Sequence, residues 1–283
     1  MVETIVVAVT GAPVAERAVR WAVQRAEAAP PGSQRIELLS VVGGALGTVG
    51  EAQVREEAMA ATQRLLDRLA EPVRDAGIDV STRVESGNPV AVLIDASQTA
   101  ALLVIGSDYR GPGDGPARGA HGIRIVAGAG CPVVVVPDLE LVGRSGVVVG
   151  IDGSPVSEQA LRFAAREADR LGERLTAVSV WTPLEAPRNG MAVYPEMYLS
   201  NMQAGAEEMQ ALALAGLAAD FPDLIVERVV ERGYPSRVIS SRALTARLTV
   251  VGTHGRGALA RFLLGSISQE VLSRLASVTA VVR

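Results

Sequence analysis

Residues 248–268 of the 283-residue chain read LTVVGTHGRGALARFLLGSIS, and this stretch carries the most structural information. The apolar run Leu248–Val251 is followed by three spaced glycines and a hydroxyl residue, in the pattern Gly252-x2-Gly255-x9-Gly265-Ser266. In an open parallel sheet, ligands bind beyond the carboxyl ends of the strands, where glycine-rich turns lead into helices. The stretch therefore predicts a buried parallel strand, a binding loop and a helix that begins near Gly265.

An altered copy of this stretch lies in the first half of the chain. Two glycines of the motif are kept there and two positions are changed: Gly106 and Gly119 are kept, and Tyr109 and Ala120 stand in place of Gly255 and Ser266. The duplication extends beyond the motif, because residues 7–18 align with residues 149–160, and residues 87–89 with residues 233–235. The chain therefore carries one intact motif and one degraded motif.

Length and duplication together predict two domains. A chain of 283 residues has room for two domains of ordinary size. We expect domains over residues 1–140 and 145–283, with the break near Asp138–Ser145. An apolar content of 48% with 20% charged residues is typical of folded chains, so both halves can bury a core.

Each half alternates β-branched runs with helical patterns, which predicts an α/β fold with a five-stranded parallel sheet and helices on both faces. The predicted strands are 5–9, 36–42, 80–84, 102–105 and 133–136 in the first half, and 146–151, 175–181, 224–230, 248–251 and 279–282 in the second. The predicted helices of the second half span residues 156–171, 202–219, 236–243 and 267–276. Ser154 before Pro155 marks one helix start, since serine caps the first amides and proline fits the first helical position.

The basic residues exclude two kinds of chemistry. All 27 of them are arginine, and the chain has no lysine. A Walker-type phosphate loop and a Schiff-base mechanism both require lysine. A net charge of -4 and a pI of about 5.4 give no support for binding to nucleic acid or to anionic lipid.

Other sequence features bear on location. No run of about 18 apolar residues is present, so we expect no transmembrane span. The amino terminus lacks the pattern of a signal peptide, and Val2–Val9 is interpreted instead as a first strand. Cys131 is the only cysteine, which excludes internal disulfides and cysteine-cluster metal sites, and we expect it to be a small buried apolar residue. These observations favour a cytoplasmic protein.

The intact motif combines groups that suit a phosphate. Glycines let the backbone approach a ligand closely and adopt positive φ. Residues 265–268 (GSIS) open the last helix, whose free amides and positive dipole end favour an anion, and Ser266 and Ser268 add hydroxyl donors. Without lysine, the added positive charge would come from Arg256 or Arg261.

Asp152 ends another predicted strand and would face the same crevice as Gly252. Each of these features also has a plainer interpretation. Gly-x2-Gly is often an ordinary turn, Ser266 fits a helix N-cap, Asp152 fits a turn, and Arg256 and Arg261 fit a solvated surface. Their occurrence together and in register is much more specific than any one of them.

With these residues in register, the chain resembles the universal stress protein family in its tandem two-domain form. The resemblance rests on three stretches of the second half, residues 149–154 (VGIDGS), 250–257 (VVGTHGRG) and 263–268 (LLGSIS), and on residues 131–133 (CPV) in the first. It implies two Rossmann-like domains of the adenine nucleotide alpha hydrolase-like type that face each other about a pseudo-twofold axis, joined in part by their last strands. It also implies ATP as the ligand, and a homodimer or an intramolecular pseudo-dimer. A bound Mg²⁺ or Mn²⁺ would come with the phosphates of the nucleotide.

Transferred to this sequence, the resemblance divides the site into two ends. The adenine end is assigned to Gly150, Ile151, Asp152 and Val180. The ribose and phosphate end is assigned to Gly252, Gly255, Gly265, Ser266, Ile267 and Ser268, with Arg256 as a charged neighbour. His254 is interpreted as an ordinary loop residue.

The first half departs from the family's pattern at Thr10, Tyr109 and Ala120, which replace the aspartate, the second glycine and the hydroxyl residue. A tyrosine ring where close backbone approach is needed would fill the phosphate pocket. Threonine also removes a charged acceptor for the adenine amino group. We therefore expect this half to bind ATP at least about tenfold more weakly than the second half, or not at all.

The halves also differ after their second strands. The first half has the glycine-rich residues Gly43–Gly50, whereas the second has Thr182–Asn201, which contains Met191, Tyr194, Met197 and Tyr198. A flexible apolar loop at this edge of the sheet would cover bound adenine. The alternative is that it packs against the other domain or a partner chain.

Three functions stay open on the sequence. A stress-response regulator whose ATP occupancy biases its conformation or its partner binding is favoured, because no catalytic constellation and no metal-ligand cluster accompanies the loop. The second is an enzyme, at most a weak ATPase or a transferase that uses ATP. The third is a scaffold in which the nucleotide is structural or absent.

Overall fold

The computed structural model describes residues 2–43, 51–108, 120–183, 195–255 and 264–283. The chain divides into two compact units, residues 1–140 and 141–283. Each unit contains five strands that pair only in parallel among themselves, and helices connect them. The predicted tandem α/β fold is confirmed.

The first unit runs from β1 to β5. Its elements, in chain order, are β1 (Glu3–Ala8), α1 (Val14–Glu27), β2 (Gln34–Val42), α2 (Glu51–Asp75), β3 (Asp79–Ser86), α3 (Pro89–Ala96), β4 (Leu102–Ser107), α4 (Ala120–Gly128) and β5 (Val133–Pro137). The strand order is β3-β2-β1-β4-β5, and Ile5 of β1 lies beside Ile36 of β2 and Leu102 of β4.

The second unit repeats this architecture from β6 to β10. Its elements are β6 (Val147–Gly150), α5 (Pro155–Leu171), β7 (Leu175–Trp181), α6 (Glu196–Leu214), α7 (Leu217–Asp220), β8 (Val226–Arg232), α8 (Pro235–Ala243), β9 (Leu248–Gly252), α9 (Ser266–Ser273) and β10 (Val278–Val282). The strand order is β10-β9-β6-β7-β8. The order reverses between β6 and β9, where doubly wound sheets place their ligands.

Burial of the central strands explains their sequences. Val147, Val148 and Val149 of β6 are all buried, and so are Ile5, Val6 and Val7 of β1. Because successive side chains of a strand point to opposite faces, both faces of each sheet must be covered. The apolar runs therefore mark strands in the middle of a sheet.

Several predicted boundaries in the second unit are wrong. The predicted helix 202–219 is two helices, α6 and α7, and α9 ends at Ser273 and not at residue 276. Helix α6 begins at Glu196, not at residue 202, because Pro195 and the acidic first turn start the helix while its apolar residues still resemble a loop. Residues 196–201 are therefore helical and not part of a flexible loop, and residues 184–194 lie outside the described part of the chain. Strand β8 covers Val226–Arg232 instead of 224–230. Its last two residues are charged, so the apolar pattern did not indicate where the strand ends.

Other sequence signals are placed as expected. The Ser154 hydroxyl accepts a hydrogen bond from the amide of Ser157, and α5 begins at Pro155. Cys131 is buried just before β5, and burial raises the pKa of its thiol to about 11, so that the thiol stays protonated at neutral pH. Among the helices that the structure describes, none has the length and apolar character needed to cross a membrane.

The first glycine of each motif is required by packing within its own unit. A Cβ atom on Gly106 of β4 would lie 2.9 Å from Cγ1 of Val14 in α1. A Cβ atom on Gly252 of β9 would lie 2.8 Å from Cγ1 of Val156 in α5. Since the same close approach occurs in both units, this glycine is retained for strand–helix packing even where the rest of the motif is lost.

We predict that Gly106→Ala lowers the free energy of unfolding of the first unit by about 1–3 kcal/mol, because the added methyl group overpacks against Val14. In the double variant with Val14→Ala, the combined cost should be smaller than the sum of the two single costs. Urea unfolding followed by tryptophan fluorescence measures this in a Trp181→Phe background. The chain has two tryptophans, and only Trp21 then remains in the first unit. Additive costs would show that the two side chains do not compete for space.

Candidate functional site

A cavity of about 470 Å³ opens at the carboxyl ends of β6, β7 and β9 in the second unit. Helices α8 and α9 contribute its other walls. Its lining comprises Gly150, Ile151, Asp152, Ser157, Val178, Val180, Pro235, Ile239, Val251, Gly252, His254, Gly255, Gly265, Ser266, Ile267 and Ser268. Every predicted site residue that the structure describes is brought to this cavity. Arg256 and the further candidate Arg261 lie outside the described residues.

One end of the cavity is apolar. Its walls come from β7, α8 and the end of β6, through Ile151, Val178, Val180, Pro235 and Ile239. A Cβ atom on Gly150 would lie 2.8 Å from Cδ1 of Ile239, so the glycine lets α8 approach β6 closely. This end can bury a flat apolar ring.

Asp152 supplies the carboxylate at this end of the cavity. Its Oδ1 accepts a hydrogen bond from the amide of Ser154 at 2.9 Å, so Asp152 does form a turn, as its plainer interpretation stated. The other oxygen faces the loop, because a Cβ atom on Gly255 would lie 2.6 Å from Oδ2. Gly255 is therefore needed to accommodate the carboxylate. One side chain serves both the turn and the cavity.

The other end of the cavity is formed by the start of α9. Gly265 is the N-cap, with φ of −62° and ψ of 151°, so the interpretation of Ser266 as the N-cap is wrong. The first helical hydrogen bond runs from the amide of Gln269 to the carbonyl of Gly265 at 2.9 Å. Amides of residues 266–268 precede that bond and are the free donors of the helix. These donors, with the positive end of the helix dipole, suit an anion.

Ser268 was expected to donate its hydroxyl to a phosphate, and the structure shows a different role. Its hydroxyl donates to the carbonyl of Gly252 at 2.5 Å, so its proton ties α9 to the end of β9. The amide of Gly265 also donates to the carbonyl of Thr253 at 2.7 Å. Ser268 therefore positions the helix start, whereas Ser266 stays exposed at the cavity and keeps the role of a hydroxyl donor.

The glycines of the motif are needed because they have no side chain, and not because they adopt positive φ. Gly252, Gly255 and Gly265 all lack a positive φ, which corrects that part of the sequence argument. A Cβ atom on Gly265 would lie 3.2 Å from the carbonyl oxygen of Thr253. The glycine with positive φ at this site is Gly153, at 75°, directly after Asp152.

His254 is the main cavity residue that the sequence left as an ordinary loop position. Its Nδ1 lies 2.9 Å from the hydroxyl of Thr253, and Thr253 is buried. Its Nε2 is buried without a hydrogen-bond partner among the described residues. The motif spacing alone contains no signal for this residue, because it falls between the glycines. Pro235 and Ile239 were missed for another reason: they belong to α8, whose approach depends on Gly150.

The corresponding residues of the first unit are described only in part. Thr10 follows β1, and its hydroxyl accepts a hydrogen bond from the amide of Ala12 at 3.3 Å. Tyr109, Gly119 and the side chain of Ala120 lie outside the described residues, as do Met191 and Tyr194 of the second unit. The predicted closure of the first pocket by Tyr109 therefore stays a prediction.

Within the described ranges, no group of three or more His, Cys, Asp or Glu side chains is close enough to hold a metal ion. We therefore assign no metal ligand to these side chains.

Comparison with known proteins gives consistent matches. The model of the Universal stress protein family matches residues 1–137 and again residues 144–283. Universal stress protein Rv2005c of Mycobacterium tuberculosis is 38% identical over 202 residues, which cover 70% of this chain and 67% of that protein. Universal stress protein Rv2623 of the same organism is 30% identical over 280 residues, covering 94% and 92%.

Among solved structures, a universal stress protein from Archaeoglobus fulgidus matches with a TM-score of 0.72 and 18% identity. The match covers 99% of this chain and 96% of the other. At 18% sequence identity, this structural similarity is evidence for the fold alone.

We predict that Gly255→Ala and Asp152→Ala are coupled. Gly255→Ala should destabilise the second unit, because its methyl group displaces the Asp152 carboxylate from the Ser154 amide. Once Asp152 is alanine, the same change should cost about 1 kcal/mol less. Urea unfolding of a Trp21→Phe background, followed by Trp181 fluorescence, gives the four free energies of the cycle.

Gly205→Ala is the matched control for this cycle. Gly205 lies within α6, and a Cβ atom there would meet nothing within 4 Å. Since alanine favours a helix over glycine, this variant should be as stable as the parent or more stable. A zero coupling energy between Asp152 and Gly255 would contradict the proposed close contact.

Proposed function

The chain belongs to the universal stress protein family, and from that premise we propose that it is an ATP-binding regulator of the stress response. In this proposal, nucleotide occupancy controls the conformation of the protein or its binding to a protein partner. The observation that carries the proposal is a cavity in the second unit that joins an apolar end, a carboxylate and the free amides of a helix start.

The apolar end suits adenine. The cavity volume of about 470 Å³ falls within the range of small-molecule sites, which are mostly apolar with a few well-placed polar groups. The ring would lie among Ile151, Val180 and Ile239, and the Asp152 carboxylate would accept a hydrogen bond from the amino group of the base. This arrangement supports the assignment of Gly150, Ile151, Asp152 and Val180 to the adenine end.

The opposite end suits the ribose and the phosphates. Amides at the start of α9 would donate to phosphate oxygens, and Ser266 would add a hydroxyl donor. Gly255 and Gly265 would leave room for the sugar and the phosphates, and Gly252 and Ile267 would line the same wall. Arg256 is proposed from the sequence as an added positive charge. Because the chain has no lysine, backbone donors provide most of this recognition.

In this proposal, a divalent cation would bind only together with the nucleotide. Mg²⁺ keeps several waters and is usually bound through one or two carboxylates together with substrate phosphates. Among the described lining residues the cavity presents one carboxylate, Asp152, which we assign to the apolar end. We therefore propose that Mg²⁺ or Mn²⁺ would be held by the phosphates.

We favour regulation over hydrolysis because of where the two candidate bases of the cavity, Asp152 and His254, are placed. Hydrolysis would need a group that accepts a proton from water near the terminal phosphate. Asp152 is assigned to the adenine end and is bonded to the Ser154 amide. His254 is bonded to Thr253 through Nδ1, and its Nε2 has no partner among the described residues, so His254 is the base that a hydrolase would use. A slow ATP hydrolase and a nucleotide-independent scaffold are the alternatives that the experiment must separate.

Assembly and location follow from the family resemblance. We propose a homodimer or an intramolecular pseudo-dimer, a cytoplasmic location, and adenine nucleotide as the ligand, with no nucleic-acid partner. The net charge of -4 supports the last point, because nucleic acid binding is favoured by basic surfaces.

The proposal predicts a single ATP site per chain that Gly265→Asp removes. The new carboxylate would lie at the start of α9, where it repels phosphate, and its Cβ atom would crowd the carbonyl of Thr253. Calorimetric titration with ATP measures the stoichiometry, and phosphate release is followed in the same samples. Gly119→Asp, at the aligned position of the first half, is the matched control and should bind as the parent does.

Each outcome of this titration has a distinct meaning. A single site without phosphate release supports the regulator, and sustained release that Gly265→Asp abolishes supports the hydrolase. No binding by the parent chain would leave the scaffold. Two equal sites would contradict the loss of binding that we propose for the first half.

A further inference from the structure

Three side chains connect α8 to α9 behind the cavity. The carboxylate of Glu270 accepts a hydrogen bond from the hydroxyl of Ser236 at 2.6 Å through Oε2, and from the hydroxyl of Tyr234 at 3.0 Å through Oε1. Ser236 lies in the first turn of α8, and Glu270 lies in α9. We call Tyr234, Ser236 and Glu270 the α8–α9 clamp.

The clamp lies next to both walls of the cavity. Pro235, between two clamp residues, lines the apolar end, and Ser266 lines the opposite end. Glu270 is four residues after Ser266, about one helical turn along α9. The clamp therefore fixes the distance between the start of α8 and the start of α9, which belong to different ends of the cavity.

Both hydrogen bonds of the clamp are accepted by a carboxylate, that of Glu270. Ser236 is completely buried, so its hydroxyl needs an internal partner. Hydrogen bonds to an ionised carboxylate are stronger than those between neutral groups. The bonds from Ser236 and Tyr234 hold the pKa of Glu270 below its ordinary value, and the same carboxylate raises the pKa of Tyr234. Glu270 is thus ionised and Tyr234 protonated at neutral pH, as the clamp requires.

At the aligned positions, the first unit lacks the side chains of the clamp. By alignment, Asn88, Val90 and Arg124 take the places of Tyr234, Ser236 and Glu270. Asn88 caps α3 by accepting hydrogen bonds from the amides of Val90 and Ala91. Tyr234 makes no side-chain cap bond at the start of α8, and its hydroxyl reaches α9 instead. The clamp therefore accompanies the intact motif, and it replaces an ordinary helix cap.

We propose that the α8–α9 clamp positions the two ends of the nucleotide site relative to each other, with Glu270 as the positioning residue. This inference rests on the proposed function. A ligand that spans both ends, such as ATP, needs the correct spacing of α8 and α9. Adenosine, which has no phosphate, depends much less on the start of α9. Loss of the clamp should therefore weaken ATP binding more than adenosine binding.

The sign of the effect separates positioning from simple electrostatics. Glu270→Ala removes a negative charge about one turn from the proposed phosphate end. By charge alone, this change would strengthen the binding of an anionic ligand. The positioning role predicts the opposite, a weaker affinity for ATP.

The experiment compares ATP and adenosine by calorimetric titration, well below the unfolding temperature of every variant. Glu270→Ala and Ser236→Ala should each lower the ratio of ATP affinity to adenosine affinity about tenfold. Tyr234→Phe should have a smaller effect, because its bond to Glu270 is exposed to solvent. Glu270→Gln keeps one acceptor oxygen and should restore part of the loss.

Glu208→Ala is the matched control, because it removes one negative charge from an exposed position of α6. It should leave the affinity ratio unchanged. An unchanged or increased ratio in the Glu270 variants would overturn the positioning role, and so would an equal fall in Glu208→Ala. If the parent chain binds neither ligand, the proposed function itself fails. If Glu270→Ala does not fold, Tyr234→Phe and Glu270→Gln still decide the question.

Discussion

The parallel pairing of β6 with β9 is the constraint on which the second unit depends. Val147 lies beside Leu248 and Val149 beside Val250, so the two strands end at the same edge of the sheet. This pairing brings Asp152, which follows β6, to the loop that follows β9, although about a hundred residues separate them in the chain. Strand order reverses at the same pair, which opens a crevice at the carboxyl ends of β6 and β9. The cavity is therefore a consequence of sheet topology before any single side chain is considered.

Comparison of the two halves separates residues kept for the fold from residues proposed for the ligand. Gly106 and Gly252 are both kept, and each accommodates a valine of the first helix of its own unit, Val14 of α1 or Val156 of α5. Asp152 and Gly255 are in contact in the second half, and in the first half both are replaced, by Thr10 and Tyr109. A contact pair that changes together is expected when neither residue is needed for the sheet. The degraded motif thus supports a proposed site in the second half, in which Gly252 belongs mainly to the packing.

The central strands and most of the cavity residues could be predicted from the sequence, for identifiable reasons. Runs such as Leu248–Val251 are apolar on both faces, which short central strands require, and the glycine spacing located the loop. It was insufficient where a residue's role depends on a distant partner. The hydroxyl of Ser268 bonds to Gly252, and Ile239 reaches the cavity because Gly150 has no side chain; neither contact has a local pattern. The start of α6 was predicted too late because its first apolar residues, such as Met197, remain exposed and form no buried helical face.

The absence of lysine gives these supporting contacts a particular weight. A lysine can follow a phosphate through a flexible side chain, whereas backbone amides are fixed by the position of their helix. If the amides of α9 bind the phosphates, affinity depends on how that helix is held. Ser268 fixes its start to the end of β9, and the amide of Gly265 bonds to Thr253. Glu270 fixes the next turn to α8. A site built on backbone donors therefore couples nucleotide affinity to the packing of α8 and α9, and such coupling is what a regulator that responds to its nucleotide requires.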